Sequence, residues 1–454
     1  MNRSIGVLLA GIVCLSLGST DAQPADSQPA EITAALPVIP DATFKLTDFG
    51  AVGDGRTFNT DAFTKAVAAV AKAGGGHLIV PAGTFLTKSF AMTSHMDLHL
   101  ERGAIIKAPT QFADYGLPDP SQSIRGGAPT TRPALGARGA PGAGGFGGFG
   151  GGGRARMALI TGSDLTDVSI TGSGTIDGSG EMFWVFASGA AQRYLPIRVN
   201  YPRPVLVAVR GNRMLFDGVT LTNSPMFHLT PSGQDITISN LHIVAPDDSP
   251  NTDAMDLRGQ RIVVKDCEID VGDDNVEIGG PCRDILVENL TCLHGHGISI
   301  GSPTRGGVSH VLVRHCTFDG GENAIRIKSS RGRGGLIEDV TYTDIQIKNI
   351  TKRPIDISML YSGTREAVPG ATDIPQVRNV LISNVTITRS PEMGRIWGLP
   401  EQLAKDITLE NVKVQTDRGI TVQDAAGIVF KNVQMDVAVG DPIATDNATV
   451  EQRP

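Results

Sequence analysis

The chain has 454 residues, with 40 Lys and Arg against 47 Asp and Glu and a formal net charge of -7. That length permits two or three ordinary domains or one elongated β fold. An acidic chain does not hold a polyanion by its overall field, so no nucleic-acid partner is expected, and an anionic substrate must be met by cations concentrated locally.

Asn2 and Arg3 precede an apolar stretch, Ile5 to Leu17, that is too short to span a bilayer and reads as a signal-peptide core. Thr20-Asp21-Ala22 places the expected cleavage near Ala22, which makes residues 1–22 a signal peptide and the mature chain secreted, periplasmic or extracellular, with no membrane partner. Cys14 follows Val13, which is not small, so a lipoprotein anchor is the poorer reading. Residues 23–40, rich in Pro, Ala and Gln, read as a linker. Cys267, Cys282, Cys292 and Cys316 remain after cleavage. Export permits disulfides, but a chain of this size holds a core without them, so free buried thiols are expected.

Phe44 to Ala51 is followed by the turn signal Asp54-Gly55. Asp61 to Lys72 carries Phe63, Ala66, Val67 and Val70 at helical spacing, with Thr60 placed to cap its start and Gly74 its end. This short N-terminal helix is expected to cover the first rung of a sheet and blunt its open edge. Residues 111–155 are an irregular insertion whose centre, Gly139 to Gly153, is almost all Gly with Phe146 and Phe149 interleaved; it reads as a surface loop.

The rest of the chain repeats itself. Asp235-Ile-Thr-Ile-Ser-Asn240-Leu-His-Ile243 recurs in form from Arg213, Arg261, Asp284, His310, Asp339, Asn379, Asp406 and Gly427, with starts 22, 26, 23, 26, 29, 40, 27 and 21 residues apart along the chain. Period-two alternation marks short strands, and a helix-free repeat of this length marks a coiled sheet of stacked rungs. The sixth position, often Asn or Asp, predicts a bend, and the apolar seventh and ninth positions should point inward. The fold class expected is all-β, a single-stranded right-handed parallel β-helix over residues 41–454. A β-propeller needs a longer, four-stranded period.

Between residues 251 and 328 the polar residues stop behaving as strand decoration. Asn251-Thr-Asp253 precedes one rung, and Gly272-Asp273-Asp274-Asn275 lies 21 residues beyond Asp253, about one coil. Rungs stack about 4.7–4.9 Å apart, so Asp253, Asp273 and Asp274 can meet. Clustered carboxylates repel, one holds its proton to higher pH, and acid and base roles separate as glycoside hydrolysis requires. Calcium uses the same oxygen ligands, and solvated turn acids would look alike. Gly295-His296-Gly297 follows one coil on; His296 can bond a carboxylate or a sugar, while a zinc site lacks convergent partners. Arg326 and Lys328 alternate onto one face a further coil on, as suits a carboxylate-bearing ligand, with Arg331 and Arg333 as an extension or a solvated edge.

These four motifs, in order, resemble the polygalacturonases of glycoside hydrolase family 28. Asp48-Phe-Gly-Ala51, Gly174-Thr-Ile-Asp-Gly178 and Asn223-Ser-Pro225 add to the likeness, and Tyr361 matches a sugar-contacting Tyr. The resemblance implies an inverting hydrolase of pectic polysaccharide without metal or organic cofactor; the expected state, apart from the resemblance, is a monomer. It implies Asp273 as general acid, Asp253 and Asp274 as activators of water, and His296 as support for the acid. Asn251, Arg326, Lys328 and Tyr361 would bind the galacturonate. One departure stands out: Asn275-Val-Glu277-Ile-Gly279-Gly280 has an extra acid and lacks the Lys that family members often carry there. A rhamnogalacturonan or xylogalacturonan hydrolase, a calcium-dependent lyase and a non-catalytic carbohydrate-binding β-helix are the competing readings.

Overall fold

Two corners, not one, punctuate each repeat. In the computed structural model, which describes residues 31–120, 157–187, 193–197 and 201–454, the sixth position is left-handed as expected, at Asn240 (φ 54°), Asp266 (56°), Asn289 (56°) and Asn411 (55°). The first position is left-handed as well, at Arg213 (53°), Asp235 (55°), Asp284 (58°) and Asn379 (52°). Left-handed backbone is costly for most residues and tolerated best by Gly, Asn and Asp, which explains the composition of the sixth position; the first position also takes Arg213, Arg261 and His310. Equivalent corners then bond along the stack. Asn432 donates to Asn411 at 2.8 Å and Asn411 to Asn384 at 3.2 Å, while Arg261 clasps Asp235 and Arg213 clasps Asp167.

Between corners the strands pair in parallel with the next coil, and three ladders result. One runs through Ile236, Ile262, Ile285, Val311, Val340 and Val380, all buried. A second runs through Leu221, Ile243, Ile269, Cys292, Phe318 and Ile347. These are the inward positions read from the repeat. The third ladder carries an outward polar column, Asp256, Glu277, Ser299, Arg326, Asp356 and Arg395, each opposite the next. The architecture is a right-handed parallel β-helix whose first paired strand is Thr43–Lys45 and whose last is Ile443–Arg453.

The helix Thr60–Lys72 buries Ala62, Phe63, Ala66 and Val70, and Phe63 stacks on Phe90 with centroids 4.4 Å apart. Its start differs from expectation. Asn59 is the capping residue, but its side chain bonds the backbone of Val52, Thr57 and Leu86 instead of the helix. Thr60 lies inside the first turn, where its hydroxyl accepts from Lys88 N. The end is as read, with Gly74 left-handed just past Ala73.

The described residues from Ile32 to Pro454 form one unit. Within it the described part of the linker is tied to the coil, with Ala35 N donating to Asp235 Oδ1 and Val38 N to Asp167 Oδ1. Residues 1–22, expected to be a signal peptide, and the Gly-rich centre of the 111–155 insertion lie outside the described residues. Among the described residues no helix is long and apolar enough to cross a membrane. Among the described residues, Cys267, Cys282, Cys292 and Cys316 are free and buried, and burial pushes the thiols of Cys267, Cys282 and Cys316 up to about 12.

Candidate active site

The acidic turns are built by short polar links. Thr252 Oγ1 accepts from Gly272 N at 3.0 Å and joins the turn before one rung to the turn before the next. Asn251, left-handed at φ 57°, accepts from Arg203 Nη2 at 2.6 Å. Asn275 braces the Gly-His-Gly segment: its amide donates to His294 O at 2.7 Å, and its carbonyl accepts from Gly297 N at 2.8 Å. Gly297 has φ 79°, and a Cβ there would stand 2.4 Å from Ala324 O, so the tight approach of these rungs requires glycine.

On this scaffold the two adjacent aspartates acquire different partners. Asp273 Oδ1 lies 2.9 Å from His296 Nδ1, and its Oδ2 accepts from Asn251 Nδ2 at 3.4 Å. Asp274 accepts from Lys328 Nζ at 2.5 Å, Ser299 Oγ at 2.8 Å and Arg326 Nη1 at 3.2 Å. Asp273 keeps 19% side-chain exposure and Asp274 only 2%, so Asp273 is the carboxylate that faces solvent. Asp253 is buried, and its Oδ1 has no hydrogen-bond partner among the described residues.

Charge follows these contacts. Burial, with Asp273, Asp256 and Asp274 close by, lifts the Asp253 carboxyl well above the usual carboxylate range. Burial also acts upward on Asp273, but His296, Lys328 and Arg326 outweigh it and hold Asp273 low. Burial pulls His296 down, while the charge and hydrogen bond of Asp273 raise it above its ordinary value on balance. Lys328 behaves alike, with Asp274 overriding burial. Asp253 therefore binds a proton more readily than Asp273, and cations stand against both Asp273 and Asp274.

The structure brings together Asn251, Asp253, Asp273, Asp274, His296, Arg326 and Lys328, with Tyr361 beside the cations. The ring of Tyr361 lies 5.4 Å from Lys328 Nζ and 5.9 Å from Arg326 Cζ, and the residue is 44% exposed. One expectation changes in kind: Arg326 and Lys328, with side chains 12% and 9% exposed, are committed to Asp274. Arg331 pairs with Glu401 and Arg333 bonds Ser302, so neither extends the cationic face. Ligand atoms of Asp273, Asp274 and His296 lie within 4.8 Å of one another, close enough to hold a metal ion. Lys328 and Arg326 already supply positive charge to Asp274, which disfavours a metal there.

Four participants were not read from the sequence. Arg203 also donates to Pro250 O at 2.6 Å. His228 is fully buried under the cleft, with Nδ1 3.1 Å from Asp253 O, and burial pulls it down to about 4. Glu322 lies 3.3 Å from His296 Nε2 and pairs with Lys352. Arg258 pairs with Glu277 at 2.5 Å. The only signals for these were a His three residues past Asn223-Ser-Pro225 and a Glu four before Arg326, each an ordinary pattern alone.

Residues 151–433 match the family model for glycosyl hydrolases family 28, and residues 43–135 match one described as rhamnogalacturonase A/epimerase, pectate lyase-like. A probable polygalacturonase of Vitis vinifera is 30% identical over 389 residues, covering 81% of this chain and 73% of the relative. The solved hyperthermoactive exopolygalacturonase of Thermotoga maritima superposes with a TM-score of 0.68 at 26% identity, covering 92% of this chain and 94% of that one. The polygalacturonase of Erwinia carotovora shares the fold at 22% identity and a TM-score of 0.61, covering 92% and 99%.

Proposed function

The chain belongs to glycosyl hydrolases family 28, and from that premise we propose that it hydrolyses α-1,4-galacturonosidic bonds of pectic polysaccharide with inversion. The observation that carries this reading is the division of labour between neighbours. Asp273 faces the cleft beside His296, and Asp274 pairs with Lys328 and Arg326.

Asp273 gives its proton to the leaving oxygen. In this reading the proton starts on Asp253, the carboxyl of higher proton affinity. An anionic sugar entering beside the more exposed Asp273 raises the proton affinity there, because like charges disfavour a second anion. Asp274 and Asp253 activate the attacking water once the proton has moved. His296 holds Asp273 in place, with Glu322 on its far nitrogen. Asn251 and Tyr361 line the sugar's path. The reading invokes no metal or organic cofactor, and it has the mature enzyme work as a secreted monomer once residues 1–22 are removed.

Polygalacturonate digestion followed by NMR tests both parts. Inversion of an α-linked chain yields the β anomer first, and Asp273→Asn should retain the fold while losing at least about 10³-fold in turnover. An α anomer appearing first, or a near-normal rate for the variant, refutes the mechanism. Rhamnogalacturonan is the second substrate to run in parallel, because Glu277, paired with Arg258, departs from the pattern that the resemblance gives.

A further inference from the structure

The space that a side chain at position 279 would enter is already filled. A Cβ built on Gly279 would lie 2.2 Å from Arg258 Cζ and 2.4 and 2.6 Å from its two terminal nitrogens. The guanidinium of the preceding rung therefore rests directly over this glycine. Arg258 Nη1 donates to Glu277 Oε2 at 2.5 Å and to Leu257 O at 2.7 Å, which fixes its direction.

The pair is buried unequally. The Arg258 side chain keeps 14% exposure, more than the 9% of Lys328, while Glu277 keeps 6% beneath it. Glu277 stands opposite Asp256 on one side and Ser299 on the other, within electrostatic reach of Arg258, Lys328 and Asp274. Its Oε1 has no hydrogen-bond partner among the described residues. Arg258 thus belongs to the strand just after Asp253, and Lys328 to the one three rungs on, roughly 14 Å away at the usual strand spacing. Along the stack Asp273 and Asp274 fall between them, and Asp253 precedes the strand of Arg258. Lys328 is committed to Asp274, whereas the guanidinium of Arg258 has five N–H donors and a planar edge suited to a carboxylate.

We propose that Arg258 is a specificity-determining residue of the cleft that reads the carboxylate of a uronate sugar on the Asp253 side, with Glu277 aiming the guanidinium and Gly279 leaving room for it. The sequence has no Lys after the Asp-Asp pair, and the cation comes from the neighbouring coil instead. The inference rests on the galacturonan reading and names the contact that would enforce it.

Calorimetric binding of trigalacturonate and of its methyl ester to Asp273→Asn protein, with and without Arg258→Gln, separates the two ideas. Loss of a charge-assisted hydrogen bond should weaken trigalacturonate about 10- to 100-fold and change the ester by less than about threefold. Because Arg258→Gln leaves Glu277 buried without its partner, Arg258→Gln/Glu277→Gln is measured as well and should show the same selective loss. If Asp273→Asn protein binds neither sugar, the galacturonan reading fails. If it binds trigalacturonate and both Arg258 variants bind it equally well, or lose both ligands in equal proportion, the role of Arg258 is overturned.

Discussion

Lys328 Nζ donates to Asp274 Oδ2 at 2.5 Å from two rungs away, so the second carboxylate of the Asp273–Asp274 pair carries its charge against a buried cation. Both groups are nearly inaccessible, at 9% and 2% side-chain exposure. Removing one partner of such a pair leaves the other charge uncompensated in a poorly solvated place.

Lys328→Met should therefore act through Asp274. Turnover should fall on the order of 10²-fold, about 3 kcal/mol, by the same factor on de-esterified and on partly esterified pectin. A loss confined to the de-esterified substrate would mean that Lys328 reads substrate charge directly, as the motif alone suggests. Steady-state kinetics on the two substrates decides between them.

His228 is buried against the backbone of Asp253 and stays neutral down to about pH 4. An unfolded chain protonates the same imidazole near its ordinary value of about 6.5. Below that pH the unfolded state binds a proton that the folded state refuses, so stability falls as pH drops from about 6.5 to about 4 and levels off below. The effect is worth roughly 3 kcal/mol at most. His228→Gln should unfold at a temperature less sensitive to pH across that window than wild type. Parallel melting curves for the two proteins would contradict the assignment.

The corner ladder predicts a ranking of stabilities. Asn411 is left-handed at φ 55° and bonds both Asn384 and Asn432. Asn411→Ala loses both side-chain bonds and puts a Cβ residue in costly backbone, a destabilisation of about 2 kcal/mol. Asn411→Gly loses the bonds but not the backbone compatibility and should cost about 1 kcal/mol less. Melting temperatures should fall in the order Asn, Gly, Ala, and an Ala variant as stable as wild type would remove the ladder from the account.

Much of the coil was legible because its determinants are local. An apolar residue at every second position faces inward whatever the neighbouring coil does, and Asn240 or Asp266 can occupy a left-handed corner by its own chemistry. The first corner of each repeat was not legible, because Arg213, His310 and Asp284 share no side-chain type; their backbone conformation is common, and the bonds that support it reach across coils.

The site divides in the same way. The order of Asn251-Thr-Asp253, Asp273-Asp274, Gly295-His-Gly297 and Arg326-Ile-Lys328 at rung-like intervals sufficed to gather these residues in one cleft. Which carboxylate meets which cation depended on the register between rungs. Val276 lies opposite Ile298 and Ile298 opposite Ile325, which carries Lys328 to Asp274 and leaves Asp273 to His296. Burial is likewise a property of the stack: Asp253 and Asp273 are both aspartates in turns, yet the packed coils raise one and hold the other low. The sequence determined which groups would share a groove, and the tertiary structure decided their partners and proton affinities, because desolvation and charge pairing act through space between coils that are distant along the chain.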